Sequence, residues 1–198
     1  MEKVHQLFSV PLYETHFPVE PSVIDFVKSQ EYVRYSYSYM SEGNVLACQE
    51  MKNVRDFITA KVEYYFYHIC GLDEDVKPEL TSSWANIHIK GDWTLRHSHP
   101  NAIVSGVWYL STTDKTGSFL VHRERGLFGN TLDFNRKENN YLNADPIYFR
   151  PENGSLYLFP STMMHSVDAN LDAEERISLA FNYMMRGVVN SYNVRMKL

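Results

Sequence analysis

The hydrophobic rhythm of the chain changes near residue 80. From Gln49 to Cys70 the apolar positions are Val54, Phe57, Ile58, Val62, Tyr65, Phe66 and Ile69. Steps of three and four put them on one face of a helix, and Gly71 stands where a C-cap is expected. Pro21 followed by SVIDFVKSQ predicts a shorter helix with proline in its first turn. Residues 4–13 predict a strand, at a sheet edge because Pro11 has no N–H to donate. From Thr81 onward the pattern becomes short apolar runs: SWANIHI, TLRHSH, AIVSGVWYL, GSFLVH, PIYFRP, GSLYLFP, MMHSVD and RISLAFNYMM. Gly91-Asp92, Thr116-Gly117 and Asn153-Gly154 punctuate them. Eight short strands at this spacing predict a sandwich or barrel. The last run alternates cleanly. Ile177, Leu179, Phe181 and Tyr183 point one way; Arg176, Ser178, Ala180 and Asn182 point the other. The second set is small and polar, which suits a pocket better than a dry core.

These elements predict one domain of 198 residues. Helices and mixed support fill 1–80, a β core spans 81–185, and a tail covers 186–198. The stretch RERGLFGNTLDFNRKENNYLNAD, from Arg123 to Asp145, is long and polar for a connection, and its length makes it a candidate lid. Aromatics at 14% strengthen the β reading. A net charge of −5 without a run of Lys and Arg argues against a broad nucleic-acid footprint. Two cysteines, Cys48 and Cys70, make no disulfide scaffold. No apolar stretch has the length of a signal peptide or a membrane span. The chain is therefore expected to be soluble and cytoplasmic, with homodimerisation left open.

Of eight histidines, His5, His16 and His68 lie in the support region. In RHSHPN, His97 and His99 are two residues apart, so on an extended strand both rings share a face and can chelate one ion. Imidazole suits iron, zinc, copper and nickel. His165 stands in an apolar run after Phe159-Pro160. Arg176 opens the last strong strand, and a guanidinium grips a carboxylate bidentately. Three ligands from separate strands would leave open positions on a metal, as non-haem iron oxygenases require.

Taken together, RHSHPNAIVSGVWYL, GSLYLFPSTMMHSV and ERISLAFN resemble the 2-oxoglutarate/iron(II) oxygenase superfamily. They are similar to the small oxygenases of marine bacteria and their viruses whose pattern reads HxHPN, SGVYYL, LFPSxxxHSV and ERISxSFN. The resemblance covers roughly residues 81–185. It implies a mainly β fold with supporting helices, a double-stranded β-helix (jelly-roll, cupin-like). It implies His97 and His165 as metal ligands and Arg176 as the partner of the C5 carboxylate of 2-oxoglutarate. Tyr109 matches a tyrosine that hydrogen-bonds that carboxylate in prolyl-hydroxylase-like relatives. Ser178 and Asn86 are further candidates for the co-substrate pocket.

One position departs from the pattern. The superfamily places Asp or Glu where this chain has His99. Either three imidazoles bind Fe(II) with no anionic protein ligand, or His99 stands beside a two-histidine site completed by water. Asp92 and Asp168 are the nearest acids in sequence. The implied activity is a dioxygenase that consumes O2 and 2-oxoglutarate and hydroxylates a C–H bond of a prolyl residue or a small molecule. Trp108, His122 and Arg123 are candidate substrate contacts, with Trp93 and Arg125 nearby. Two other classes compete: a cupin-type metal protein acting without 2-oxoglutarate, and a β-sandwich binding module without catalysis.

Overall fold

The computed structural model describes residues 2–5, 7–124, 134–189 and 196–197. Two antiparallel sheets form its frame. The larger runs β1-β9-β6-β11-β4-β3-β2. These strands are β1 (Tyr13–His16), β2 (Tyr32–Tyr35), β3 (Ser38–Ser41), β4 (Val76–His88), β6 (Val104–Ser111), β9 (Ser155–Pro160) and β11 (Arg176–Val189). The smaller sheet runs β5-β10-β7-β8: β5 (Thr94–His97), β10 (His165–Val167), β7 (Phe119–Val121) and β8 (Ile147–Phe149). This is the jelly-roll arrangement the sequence predicts, and all eight expected runs form strands.

The centre of the major sheet, β9, β6 and most of β11, is buried on both faces, which sets its composition. On the outer face α1 (Pro21–Lys28) and α2 (Lys52–Tyr64) pack against it. Val54, Ile58 and Val62 meet Ala85, Leu156, Leu158, Leu179 and Phe181 in one core. The helical stripe continues through Tyr65 and Phe66, but the last turn widens to a π-helix over Tyr65–Ile69. There the Cys70 amide donates to the Tyr65 carbonyl, and Ile69 turns outward. On the inner face a second cluster of Tyr109, Tyr157 and Phe159 meets Phe119 of the minor sheet.

Gly106 marks where the outer core is tightest. A Cβ there would lie 2.7 Å from Leu158 Cδ2 and closer still to the Phe181 ring. Gly106→Ala is therefore expected to destabilise the fold by about 1–3 kcal/mol, the usual cost of overpacking. A fall in the urea midpoint at unchanged slope checks this.

Several sequence expectations need correction. The N-terminal strand is an edge strand, but it spans Tyr13–His16, overlapping the expected 4–13 only at Tyr13, and pairs with β9. The β2–β3 hairpin, absent from the sequence reading, extends the major sheet beside β4. β4, the first strand of the expected β core, starts at Val76 and not Thr81. The segment read as a tail carries the end of β11, paired with β12 (Met196–Lys197). No helix among the described residues is long and apolar enough to cross a membrane.

Candidate active site

A cavity of about 310 Å³ opens between the sheets, at the small end of the range for small-molecule sites. Strand alternation decides which side chains reach it. On β11 the polar set Arg176, Ser178 and Ala180 faces in, while Ile177, Leu179 and Phe181 face the helices. Cross-strand register then places His88 beside Arg176, Asn86 and Tyr109 beside Ser178, and Trp84 and Val107 beside Ala180. Residues directly paired across a sheet share a face, so these form one inward row. Arg176 and His88 mark one end of it. Trp84, its ring 5.6 Å from that of His99, marks the other.

The minor sheet brings the three predicted histidines together. His165 on β10 pairs with His97 on β5. His99 lies just past the end of β5, anchored by its amide donating to the Ser161 carbonyl at 2.9 Å. Its approach to His97 therefore comes from the turn and not from shared strand geometry, as the sequence spacing had suggested. One nitrogen from each ring falls within 4.8 Å of the others. His97 Nδ1 donates to the Leu95 carbonyl at 2.7 Å, and His165 Nδ1 donates to the Met163 carbonyl at 2.9 Å. Both rings are thereby oriented with a bare Nε2 lone pair, the arrangement that metal-binding histidines use. His99 Nε2 sits 3.2 Å from His165 Nε2. Two such nitrogens sit this close over a shared proton or a shared cation. Adjacent ligands with metal–nitrogen bonds of about 2.1 Å stand about 3 Å apart at right angles.

Burial keeps His99 and His165 neutral. The pKa of His165 is lowered to about 3, first by burial and then by His97. That of His99 is lowered to about 4 for the same two reasons. A neutral imidazole need not shed a proton before it binds a cation. Phe119 and Phe159 pack 5.6 and 4.8 Å from the His165 ring, an apolar wall on that side. Neither nearby acid joins the cluster. Asp92 is buried in a two-point pair with Arg34, at 2.5 and 2.6 Å. Asp168 contributes its backbone carbonyl to Arg176.

Arg176 is fully buried. Its Nη1 donates to the carbonyls of Thr116 at 2.5 Å and Asp168 at 3.2 Å. Gly117, at φ +88°, makes this cradle sterically possible: a Cβ would press 2.6 Å from the Asp168 carbonyl oxygen and 3.0 Å from Nη1. Nε and Nη2 find no partner among the described residues. These two N–H groups form the side-on fork that matches a carboxylate. Tyr109 lies beside them, its hydroxyl pKa raised to about 12 by burial against the opposing pull of Arg176. It therefore stays a donor at neutral pH.

The substrate-side expectations fare differently. Trp108 does not reach the cavity; it alternates with Tyr109 and packs in the helix-side core, its Nε1 donating to the Phe17 carbonyl. His122 hydrogen-bonds Ser166 at 2.7 Å, and neither lines the cavity. Arg123 is spent on structure, donating to the carbonyls of Ala144 and Tyr141. Trp93 stacks on Tyr37 at 4.3 Å, outside the cavity lining. Arg125, and with it the first part of the candidate lid, lies outside the described residues. The lining residues missed from sequence include Ser38 and Met40 on the unforeseen hairpin, Trp84, Thr94 and His88. The alternation Trp84-Asn86-His88 was the available signal for two of them.

The fit of these residues to a metal and a dicarboxylic acid agrees with comparison to known proteins. The family model described as "Putative 2OG-Fe(II) oxygenase" matches residues 82–182, just over half of the chain. No curated protein matches in sequence. Among solved structures, a 2OG-Fe(II) oxygenase family oxidoreductase from Burkholderia pseudomallei is similar at TM-score 0.59 and 15% identity, over 86% of this chain and 83% of that one. A Pseudomonas putida prolyl-4-hydroxylase is similar at TM-score 0.52 and 13% identity, over 91% and 96%. HygX from Streptomyces hygroscopicus, solved with nickel, 2-oxoglutarate and hygromycin B, is similar at TM-score 0.52 and 13% identity, over 88% and 82%. At such identities the structural likeness speaks for the fold, and the family match carries the rest: the chain belongs to the 2OG-Fe(II) oxygenase family, iron- and 2-oxoglutarate-dependent oxidoreductases.

Proposed function

We propose that this oxygenase is a hydroxylase in which His97, His99 and His165 hold the iron and Arg176 holds the far carboxylate of 2-oxoglutarate. The observation that carries this reading is the pairing, in one cavity, of three converging imidazoles with a buried guanidinium whose side-on edge is unpaired. Tyr109 supplies a further donor to that carboxylate, and Ser178 and Asn86 border the same stretch of the row.

Iron and 2-oxoglutarate, when bound, supply the oxidising chemistry: decarboxylation to succinate and CO2, coupled to insertion of one oxygen atom of O2 into a substrate C–H bond. The protein supplies placement and shielding. Carbonyl-anchored rings fix His97 and His165, the Thr116–Asp168 cradle fixes Arg176, and Phe119 and Phe159 keep water from one side of the histidines. Beyond these groups the cavity lining is formed by Met40, Trp84, Gly106, Val107, Val167 and Ala180, with Ser38, His88 and Thr94 as its remaining polar members and no acidic side chain. It suits an uncharged, C–H-bearing fragment. Prolyl side chains and small organic molecules both meet that requirement.

The direct test is anaerobic addition of Fe(II) and 2-oxoglutarate. A weak visible charge-transfer absorption is expected, followed in air by succinate formation, slow without substrate. No absorption and no succinate would identify a binding module instead.

A further inference from the structure

Three buried side-chain polar atoms lack a partner among the described residues: Nε and Nη2 of Arg176, and Nδ1 of His88. Their grouping is informative, because buried polar groups are almost always paired and each exception calls for an explanation. His88 is directly opposite Arg176 in the β4–β11 register, lines the same cavity and is 3% exposed. Its other nitrogen is engaged, with Nε2 2.8 Å from Thr94 Oγ1. Thr94 lines the cavity too.

We propose that His88 is a direct ligand of the co-substrate, donating from Nδ1 to the carboxylate held by Arg176, with Thr94 fixing the tautomer. This rests on the reading above that Arg176 binds the far carboxylate of 2-oxoglutarate. A carboxylate offers about four lone-pair positions. The side-on guanidinium fills two, and the Nδ1–H of His88 and the O–H of Tyr109 fill the others. For Nδ1 to carry the proton, Nε2 must accept, and the Thr94 hydroxyl is the group able to donate to it. The ring must also stay neutral beside a guanidinium. Burial and then Arg176 lower its pKa to about 3, so it carries a single proton at neutral pH. His88 then distinguishes keto acids with a distal carboxylate from those without one.

The test uses the full chain loaded with Zn(II), which is redox-inert, titrated calorimetrically with 2-oxoglutarate or with pyruvate, which lacks the distal carboxylate. His88→Asn keeps an amide donor near the place of Nδ1, whereas His88→Gln moves it to the place of Nε2. His88→Gln is expected to weaken 2-oxoglutarate about tenfold or more, the effect of losing one charge-assisted hydrogen bond. His88→Asn should weaken it far less, and neither should change pyruvate binding. Equal weakening of both acids by His88→Gln would make the role structural and overturn the proposal; so would unchanged 2-oxoglutarate binding. Retained 2-oxoglutarate affinity in Arg176→Gln would instead strike the underlying reading. A readout on the unmutated chain protects against misfolded variants. In protein labelled with ¹⁵N-histidine, the His88 Nδ1 signal should show a bonded proton and shift with 2-oxoglutarate but not with pyruvate. An Nδ1 without a proton in the 2-oxoglutarate complex would also overturn the proposal.

Discussion

Arg176→Gln is expected to raise the dissociation constant for 2-oxoglutarate by about two orders of magnitude or more. The magnitude follows from burial. Removing one partner of a buried, hydrogen-bonded charge pair costs about 2–5 kcal/mol, and each 1.4 kcal/mol is about tenfold in affinity. Arg176 is fully buried with Nε and Nη2 unpaired, so a carboxylate entering the cavity meets two N–H groups that need no reorganisation. Arg176→Lys separates charge from geometry. It keeps a cation but loses the fork, and its affinity should fall between wild type and glutamine. The measurement is a titration of 2-oxoglutarate against metal-loaded protein, with metal affinity measured in parallel. The control matters because the Nη1 contacts to the Thr116 and Asp168 carbonyls are lost as well. If metal-dependent turnover proceeds unchanged in both variants, the cupin-type reading without 2-oxoglutarate gains and the present one fails.

How much of this site could be read from the chain depended on which faces of each strand are buried. β11 alternates small polar with large apolar residues, because one face meets a cavity and the other the helices. Arg176 and Ser178 were therefore legible. β6 (VSGVWYLS) is apolar on both faces, since the helices cover one and the aromatic cluster of the minor sheet covers the other. Alternation carries no direction there, which is why the sequence points to both Trp108 and its neighbour Tyr109, of which Tyr109 alone reaches the cavity. The hairpin of β2 (YVRY) and β3 (SYMS) holds only Val33 and Met40 as non-aromatic apolar residues, too few to mark a strand face, so Ser38 and Met40 were invisible. His122 and Arg123 follow a strand of three residues, too short for sequence to decide which face they take. His88 belongs to no motif. Only its register with Arg176, a long-range fact, gives it meaning.

The largest effects on turnover are expected at the histidines, and His99 is the informative one. His97→Ala and His165→Ala should abolish metal-dependent succinate formation, because each removes an imidazole whose partner carbonyl has already fixed its orientation. At position 99 the outcome depends on what the residue does. If His99 binds the iron, aspartate restores the two-histidine, one-carboxylate set common to non-haem iron enzymes. His99→Asp should then keep measurable turnover, and His99→Ala should lose metal affinity by about 10–100-fold or more. Aspartate also adds one negative charge beside the ion, which lowers the pull on a dianionic co-substrate. A weaker 2-oxoglutarate affinity in His99→Asp than in wild type, with metal binding retained, is the signature expected of a ligand swap. Equal turnover in the aspartate and alanine variants would place His99 outside the coordination sphere. His97 and His165 would then hold the iron with water completing its sphere, and the 3.2 Å approach of the His99 and His165 Nε2 atoms would belong to the metal-free protein alone, because a hydrogen bond there occupies the lone pair His165 needs for the ion.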